Sequence, residues 1–455
     1  MFLGFLLGFF NNSLLLGDRC CAFFPQKKKK NQAFLALIIS ACFLLQLPSA
    51  SLGWVPSSVS IMKQTAMIRS TSLFTVQNMI LEDDDRSCIE NARMAAGVPG
   101  ILRCANTDKL ATKVDNHQDS SLSPVERAIY QKTGLILDLR SPTERNETQA
   151  NTWMMNAGFE AIALALEDVD TTSHSEESKL RALLQKHPRL VLRLDIFSPS
   201  KFMDYLEQNW LSGPDKMKAS LFKVMDGGKL HELRMQTINE RGLLGLNEAI
   251  LETGKDGICT ALKATTMHWE ERLQSISTTK NGKEKDNNID YLVVIHCVQG
   301  KDRTGLLTML CQALVGVPDD IIVEDYYKSH YHKERKRQRT GNSNSISNQT
   351  DEETSAAMER ATSQSTSAST TSSARPSKHN NEQSTKLDRS IFHSAPREVM
   401  EETLRYLRSE YGSIVPGYLN RIGFGESWQQ RFQTAINAVG ALEEQEEMAT
   451  SRSRL

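Results

Sequence analysis

Apolar residues form two kinds of run along this chain. Short unbroken runs of strand formers lie at Gly134–Leu139, Leu190–Leu194 and Tyr291–His296. None shows polar alternation, which marks strands covered on both faces, as in a parallel sheet. Runs at helical spacing lie between and after them. They predict a helix around Ser175–Lys186, a long helical stretch from Ser200 to Ile276, and a helix from Thr304 to Leu314 that stops near Gly316 and Pro318. Ser394-Ala-Pro-Arg-Glu398 starts a further helix through Val399–Leu407. Within the long stretch, Ile258, Leu262, Trp269, Leu273 and Ile276 share one face, and Phe202, Tyr205, Leu206 and Trp210 make a second stripe. Both read as core faces rather than ligand grooves. Strands alternating with helices predict an α/β class, a central mostly parallel sheet flanked by helices.

Elsewhere the pattern fails. Residues 54–86 are polar and read as a poorly ordered lead-in. From Lys333 to Lys386 the composition is Ser, Thr, Asn, Gln and charge, opening on the basic run Lys333-Glu-Arg-Lys-Arg-Gln-Arg339. Such a segment cannot bury enough apolar surface to fold and reads as a disordered insert within a domain covering 87–332 and 387–433, with 434–455 as a C-terminal tail. The basic run reads as a solvated flank, with an anionic-lipid or nuclear-import patch as the alternative. At the other end, Lys27–Lys30 precede the apolar run Ala33–Leu47, then Pro48 and small residues to Gly53. A basic flank, a short apolar core and Ser49-Ala-Ser51 resemble a secretory signal over 1–53; a signal anchor is the second reading, since the run is shorter than the ~20 residues of a span. That reading places the protein in the secretory pathway, in a targeted organelle or at a membrane, with the cytoplasm as the alternative. Asn146-Glu-Thr148 and Asn348-Gln-Thr350 have the spacing of glycosylation sites.

Composition changes the picture little. The 54 basic and 55 acidic residues leave a net charge of −1, so no global field favours nucleic acid. The eight cysteines lack zinc spacing, and no disulfide framework is expected.

One run carries the chemistry. His296-Cys-Val-Gln-Gly-Lys-Asp-Arg-Thr-Gly305 joins the end of an apolar strand to the start of a helix. A loop there can aim its backbone N–H groups at one anion, at the positive end of the helix. Helix N-termini and nearby cations lower a thiol from about 8.5 to roughly 3.5–7.5, so Cys297 is expected as a thiolate nucleophile. Arg303 offers a planar fork for two phosphoryl oxygens. Gly300 lets the loop turn with no side chain in the phosphate bowl, and the amides of Val298, Gln299, Gly300 and Lys301 line it. Thr304 can donate a hydroxyl hydrogen bond to Cys297. Together these residues describe phosphoryl transfer through a cysteinyl-phosphate, with no metal or other cofactor. A buried inert cysteine and a rhodanese-type sulfurtransferase are the competing readings, and neither asks for Arg-Thr-Gly.

The loop resembles that of the cysteine-dependent protein tyrosine phosphatases, and with Lys301-Asp302 it is most similar to the bacterial- and fungal-type group whose loop reads His-Cys-x-x-Gly-Lys-Asp-Arg-Thr-Gly. Pro99-Gly-Ile-Leu-Arg103, Gly134–Ser141 with Glu144, and Tyr411–Phe424 resemble further segments of that group. The resemblance implies the phosphatase fold with a helical, lid-like region over the site. It implies phosphotyrosine proteins as substrates, with phosphoinositides as the alternative. It also implies Asp302 as the general acid that protonates the leaving oxygen, a role worth typically 10²–10⁴ in rate. Dual-specificity relatives place that acid after an earlier strand, which here is Asp195; a helix cap or a salt-bridge partner is the plainer role for that residue. Lys301 is either a second cation in the bowl, as in lipid phosphatases, or a solvated side chain on the rim. Arg140 and Glu144 are expected to pair with each other near the end of the first strand. A catalytically silent phosphate-binding module is the alternative of a different class.

Overall fold

In the computed structural model the described residues are 87–110, 122–145, 153–164, 174–278, 290–340, 387–388 and 391–453. Six strands form one sheet: β1 (Arg93–Met94), β2 (Ile101–Cys104), β3 (Thr133–Asp138), β4 (Glu160–Ala163), β5 (Leu190–Arg193) and β6 (Leu292–His296). Their order is β1-β2-β6-β3-β5-β4, and every pairing is parallel except β1 with β2. The α/β class with a mostly parallel sheet is therefore as expected.

Burial explains the unbroken apolar runs. Val293 and Ile295 of β6 join one core with Leu135, Leu137, Leu190 and Leu192, while Leu292 and Val294 face a second core with Ile136 and Val191. Both faces of the sheet are covered, so no position favours a polar residue. Two elements had no such signal. β4 is a sheet-edge strand of largely exposed residues. Helix α1 (Pro124–Lys132) opens on a capping box in which the Ser123 side chain and Glu126 bond each other's backbone N–H; its Ser-Pro-Val-Glu signature was available in the sequence.

Helix α2 is His174–Lys186. The single long helical stretch is instead divided into α3 (Pro199–Tyr205), a π turn (Leu206–Trp210), α4 (Gly213–Met225), α5 (Gly227–Thr253) and α6 (Lys255–Thr278). The breaks fall at Gly213-Pro214, Gly227-Gly228 and Gly254, and Gly242 (φ +57°) kinks α5. Both expected stripes are core: Ile258, Leu262 and Trp269 under the sheet, and Phe202, Leu206 and Trp210 in a third cluster built by α3 to α5.

Helices α7 (Asp302–Leu314), α8 (Asp319–Thr340), α9 (Arg397–Tyr411) and α10 (Glu426–Ser453) complete the structure. Two expected boundaries move. Helix α8 runs on through the basic residues to Thr340, so the insert cannot begin at Lys333. Helix α10 runs through the expected tail, burying Ala435, Ile436 and Val439 in the main core. Gly100 N–H donates to Glu443 at 3.0 Å, which ties the far part of α10 to the start of β2. The N-terminal segments 1–53 and 54–86, the insert from 341 to 386 and both Asn-x-Thr triplets lie outside the described residues. No described helix is long and apolar enough to cross a membrane.

Candidate active site

Three parallel strands deliver the site. Cys104, His296 and Asp138 sit side by side in register at the ends of β2, β6 and β3. The loop from Cys297 to Lys301 follows β6, and Asp302 opens α7. Cys297 is buried, and the Gly300 N–H donates to its Sγ at 3.2 Å.

Three of the loop's carbonyls are held from outside the loop. The Val298 oxygen accepts from the Asn106 amide at 3.1 Å, the Gln299 oxygen from Asn91 Nδ2 at 2.7 Å, and the Gly300 oxygen from Arg103 at 3.1 Å. With these three C=O groups engaged from outside, the loop can turn N–H groups toward the thiol, as the Gly300 N–H does, which is the geometry of an anion nest. Gly300 is required by this close fit. Its φ is +66°, and a Cβ there would lie 2.4 Å from the Cys104 carbonyl carbon and the Ala105 nitrogen. Arg103 is itself fixed by a buried ion pair with Asp325, shared with Arg93. Loop shape therefore depends on α8, the helix that carries Asp325.

Arg303 is buried, and its guanidinium lies flat against Glu144 in a two-point pair, 2.5 and 2.7 Å, while donating to the Leu139 carbonyl at 3.1 Å. Burial opposes its charge, but Glu144 more than compensates and holds the arginine pKa above its usual range. Burial likewise works to raise Glu144, and Arg303 overrides it, keeping the carboxylate ionised. Glu144 thus fixes the orientation of the Arg303 guanidinium. The expected Arg140–Glu144 pair is not formed. Arg140 pairs with Asp138, Nε to Oδ1 at 2.9 Å, and with Asp108 at 2.8 Å, because the strand end turns its side chain toward β2. His296, fully buried, has Nε2 3.8 Å from Asp138 Oδ1; burial lowers its pKa and keeps it neutral.

Two further loop side chains depart from expectation. Lys301 is neither in the bowl nor on the rim. It is buried, and its Nζ donates to the carbonyls of Phe392 at 2.6 Å and Ser394 at 2.9 Å, anchoring the chain that leads into α9. The Thr304 hydroxyl is buried with no hydrogen-bond partner among the described residues, so the expected bond to Cys297 is not made.

Both candidate acids are near the loop. Asp302 receives a long hydrogen bond from the Tyr326 hydroxyl, 3.4 Å, and lies 3.5 Å from Lys301 Nζ. Asp195 follows β5 and accepts from the Phe197 N–H at 3.1 Å, closing a turn rather than capping the next helix, whose N-cap is Ser198. Burial raises its pKa, against the Phe197 amide and the charges of Arg303 and Arg145.

Residues 257–437 match the model of the tyrosine phosphatase family. The match supports a phosphatase, a hydrolase of phosphate esters, and a cysteine-type tyrosine phosphatase domain whose loop and α7 lie inside the matched region. No curated protein matches the chain. Asn91, Arg103, Asn106, Asp138 and Glu144, which lie on or beside β1 to β3 and surround the loop, precede the matched residues. Asn91, Asn106, Asp108 and Asp325 escaped the sequence reading. A charged residue closing an apolar run flags Asp138, but nothing local marks Asn91 or Asp325. No cluster of His, Cys, Asp or Glu suited to a metal occurs among the described residues.

Proposed function

We propose that this protein hydrolyses phosphomonoesters through a cysteinyl-phosphate intermediate, with phosphotyrosine on proteins as the substrate. The observation that supports the reading is the loop's three carbonyls engaged from outside around Cys297, with the Gly300 N–H turned onto Sγ, since that arrangement suits a loop whose amides face a phosphoryl group. In the first step the Cys297 thiolate attacks phosphorus; the S–P bond forms and the bond to the leaving oxygen breaks. Asp302 gives its proton to that oxygen. In the second step water attacks phosphorus and loses a proton to Asp302, and the S–P bond breaks to release phosphate and the thiolate. Arg303, held flat by Glu144, follows the equatorial oxygens through both steps.

Asp195 is retained as the second candidate acid because its raised pKa favours the proton-bearing form. The phosphoinositide alternative loses its residue support, since the Lys301 ammonium is engaged by two carbonyls. A silent phosphate-binding module would need neither a nucleophile nor an acid at these positions. Cys297→Ser should lower kcat on an aryl phosphate by roughly 10³-fold or more while phosphate-analogue binding persists. Appreciable turnover by that variant would overturn the covalent mechanism. The wild type assayed on phosphotyrosine peptides and phosphoinositides side by side decides the substrate class.

A further inference from the structure

Helix α4 presents an apolar face that no part of the described structure covers. Met217, Leu221, Val224 and Met225 are 76, 53, 87 and 72% exposed, and they are four of the seven large hydrophobic residues exposed among the described residues. Their spacing of i, i+4, i+7 and i+8 puts them on one stripe of the helix. On the opposite side Ala219 is buried in the third core cluster and Phe222 packs against it, so α4 is seated firmly with the stripe outward.

The charge around the stripe is net positive. From Gly213 to Met225 the helix carries Lys216, Lys218 and Lys223 against Asp215, three cations to one anion. At 100° per residue the three lysines flank the stripe on both sides, and Lys218 and Lys223 are about half exposed. Two of these lysines are themselves ion-paired, Lys218 with Asp215 and Lys223 with Glu207, and the neighbouring acids are shared with caps and a further arginine. Asp215 accepts from Ser212 and Lys218, Asp226 accepts from the Lys229 amide, and Glu207 receives Lys223 and Arg234. A convex apolar stripe between lysine rows, on a helix whose other face is buried, suits a bilayer interface with anionic headgroups.

We propose that α4 is an interfacial anchor that lays the molecule on an anionic lipid bilayer. Its place in the fold gives the anchor a bearing on the site. The helical layer begins four residues after Asp195, and Phe392, which packs on that layer, offers its carbonyl to Lys301 of the loop. Seating α4 on a membrane would bring that layer, and the loop tied to it, to the lipid surface. The inference stands on exposure and charge and is independent of the substrate reading above.

The test is co-sedimentation of the full chain with vesicles of phosphatidylcholine, with and without phosphatidylserine, read beside peptide-resolved hydrogen exchange. The wild type should sediment with the anionic vesicles and show slowed exchange over 213–225. Replacing Met217, Leu221, Val224 and Met225 together with Gln should reduce the partition coefficient by roughly tenfold or more. Lys216→Glu with Lys218→Glu should remove the preference for phosphatidylserine. Aryl phosphate turnover in lipid-free solution should be unchanged in both variants, which verifies that they fold. Because all proteins carry the same apolar N-terminal segment, the difference between them reports α4. Equal sedimentation of wild type and four-Gln variant, with unslowed exchange over 213–225, would overturn the proposal. So would a lipid-free wild-type dimer that the four-Gln variant abolishes, since the stripe would then belong to a second copy.

Discussion

At the residue scale the site is governed by pairings that fix one side chain through another. Glu144 holds Arg303 flat, Asn91, Asn106 and Arg103 hold the loop carbonyls outward, and Lys301 secures the segment entering α9. The two aspartates can be separated by what a missing proton costs. With Asp302 as acid, Asp302→Asn should cut kcat by about 10²–10⁴ on substrates with poor leaving groups and much less on good ones. Asp195→Asn should then produce a small loss that does not depend on the leaving group. A series of aryl phosphates of graded leaving-group pKa measures this; a slope that steepens only in Asp195→Asn transfers the role to Asp195.

At the scale of elements, strand ends set the chemistry and distant helices set the strand ends. The loop needs α8 for Asp325 and β2 for Arg103, while β2 is in turn capped by Glu443 of α10. Ending the chain at Gln433 removes the burial of Ile436 and Val439, each worth about 1.5–3 kcal/mol, as well as that cap. The truncated protein should show an urea midpoint lower by the equivalent of about 3–6 kcal/mol. An unchanged midpoint would mean that α10 contributes nothing to stability beyond Gln433. The same reasoning shows why the expected tail failed as a reading. Val439 and Glu443 look like an ordinary polar helix with sparse apolar residues, and only their contacts with Pro99-Gly100 give them work.

For the whole molecule, buried charge ties stability to pH. Asp138, Glu144 and Asp325 are each buried, which alone would raise them, yet their cationic partners hold them below the ordinary carboxylate range. A depressed carboxylate contributes stability above its unfolded pKa of about 4, and that contribution is lost as pH falls through the folded value. His268 acts earlier. Burial, aided by Arg272, pushes it down to about 3, so the folded state refuses a proton that the unfolded chain accepts near pH 6.5. Each such histidine costs up to about 1.4 kcal/mol per pH unit below that point, and His296 shifts in the same direction. Unfolding by urea should therefore show stability declining from about pH 6.5 and falling faster below about pH 4. His268→Gln should flatten the upper part of the curve while leaving the lower part in place. A flat profile between pH 6.5 and 5 would contradict the burial of both imidazoles.

What the sequence determined alone is local. The strands 134–139, 190–194 and 291–296, the loop with Cys297, Gly300 and Arg303, and the helix behind it were all legible, because each rests on a contiguous apolar run or on residue types at fixed spacing. The glycine at 300 was legible for the same reason, and the close approach of Cys104 and Ala105 shows what it makes room for. What the tertiary structure decided is pairing across distance. Glu144 found Arg303 rather than Arg140, Lys301 turned to Phe392 and Ser394, and Cys297 took its hydrogen bond from the Gly300 N–H rather than from Thr304. A charged side chain's partner depends on which strand ends meet in the sheet order, and no spacing along the chain encodes that β6 lies between β2 and β3.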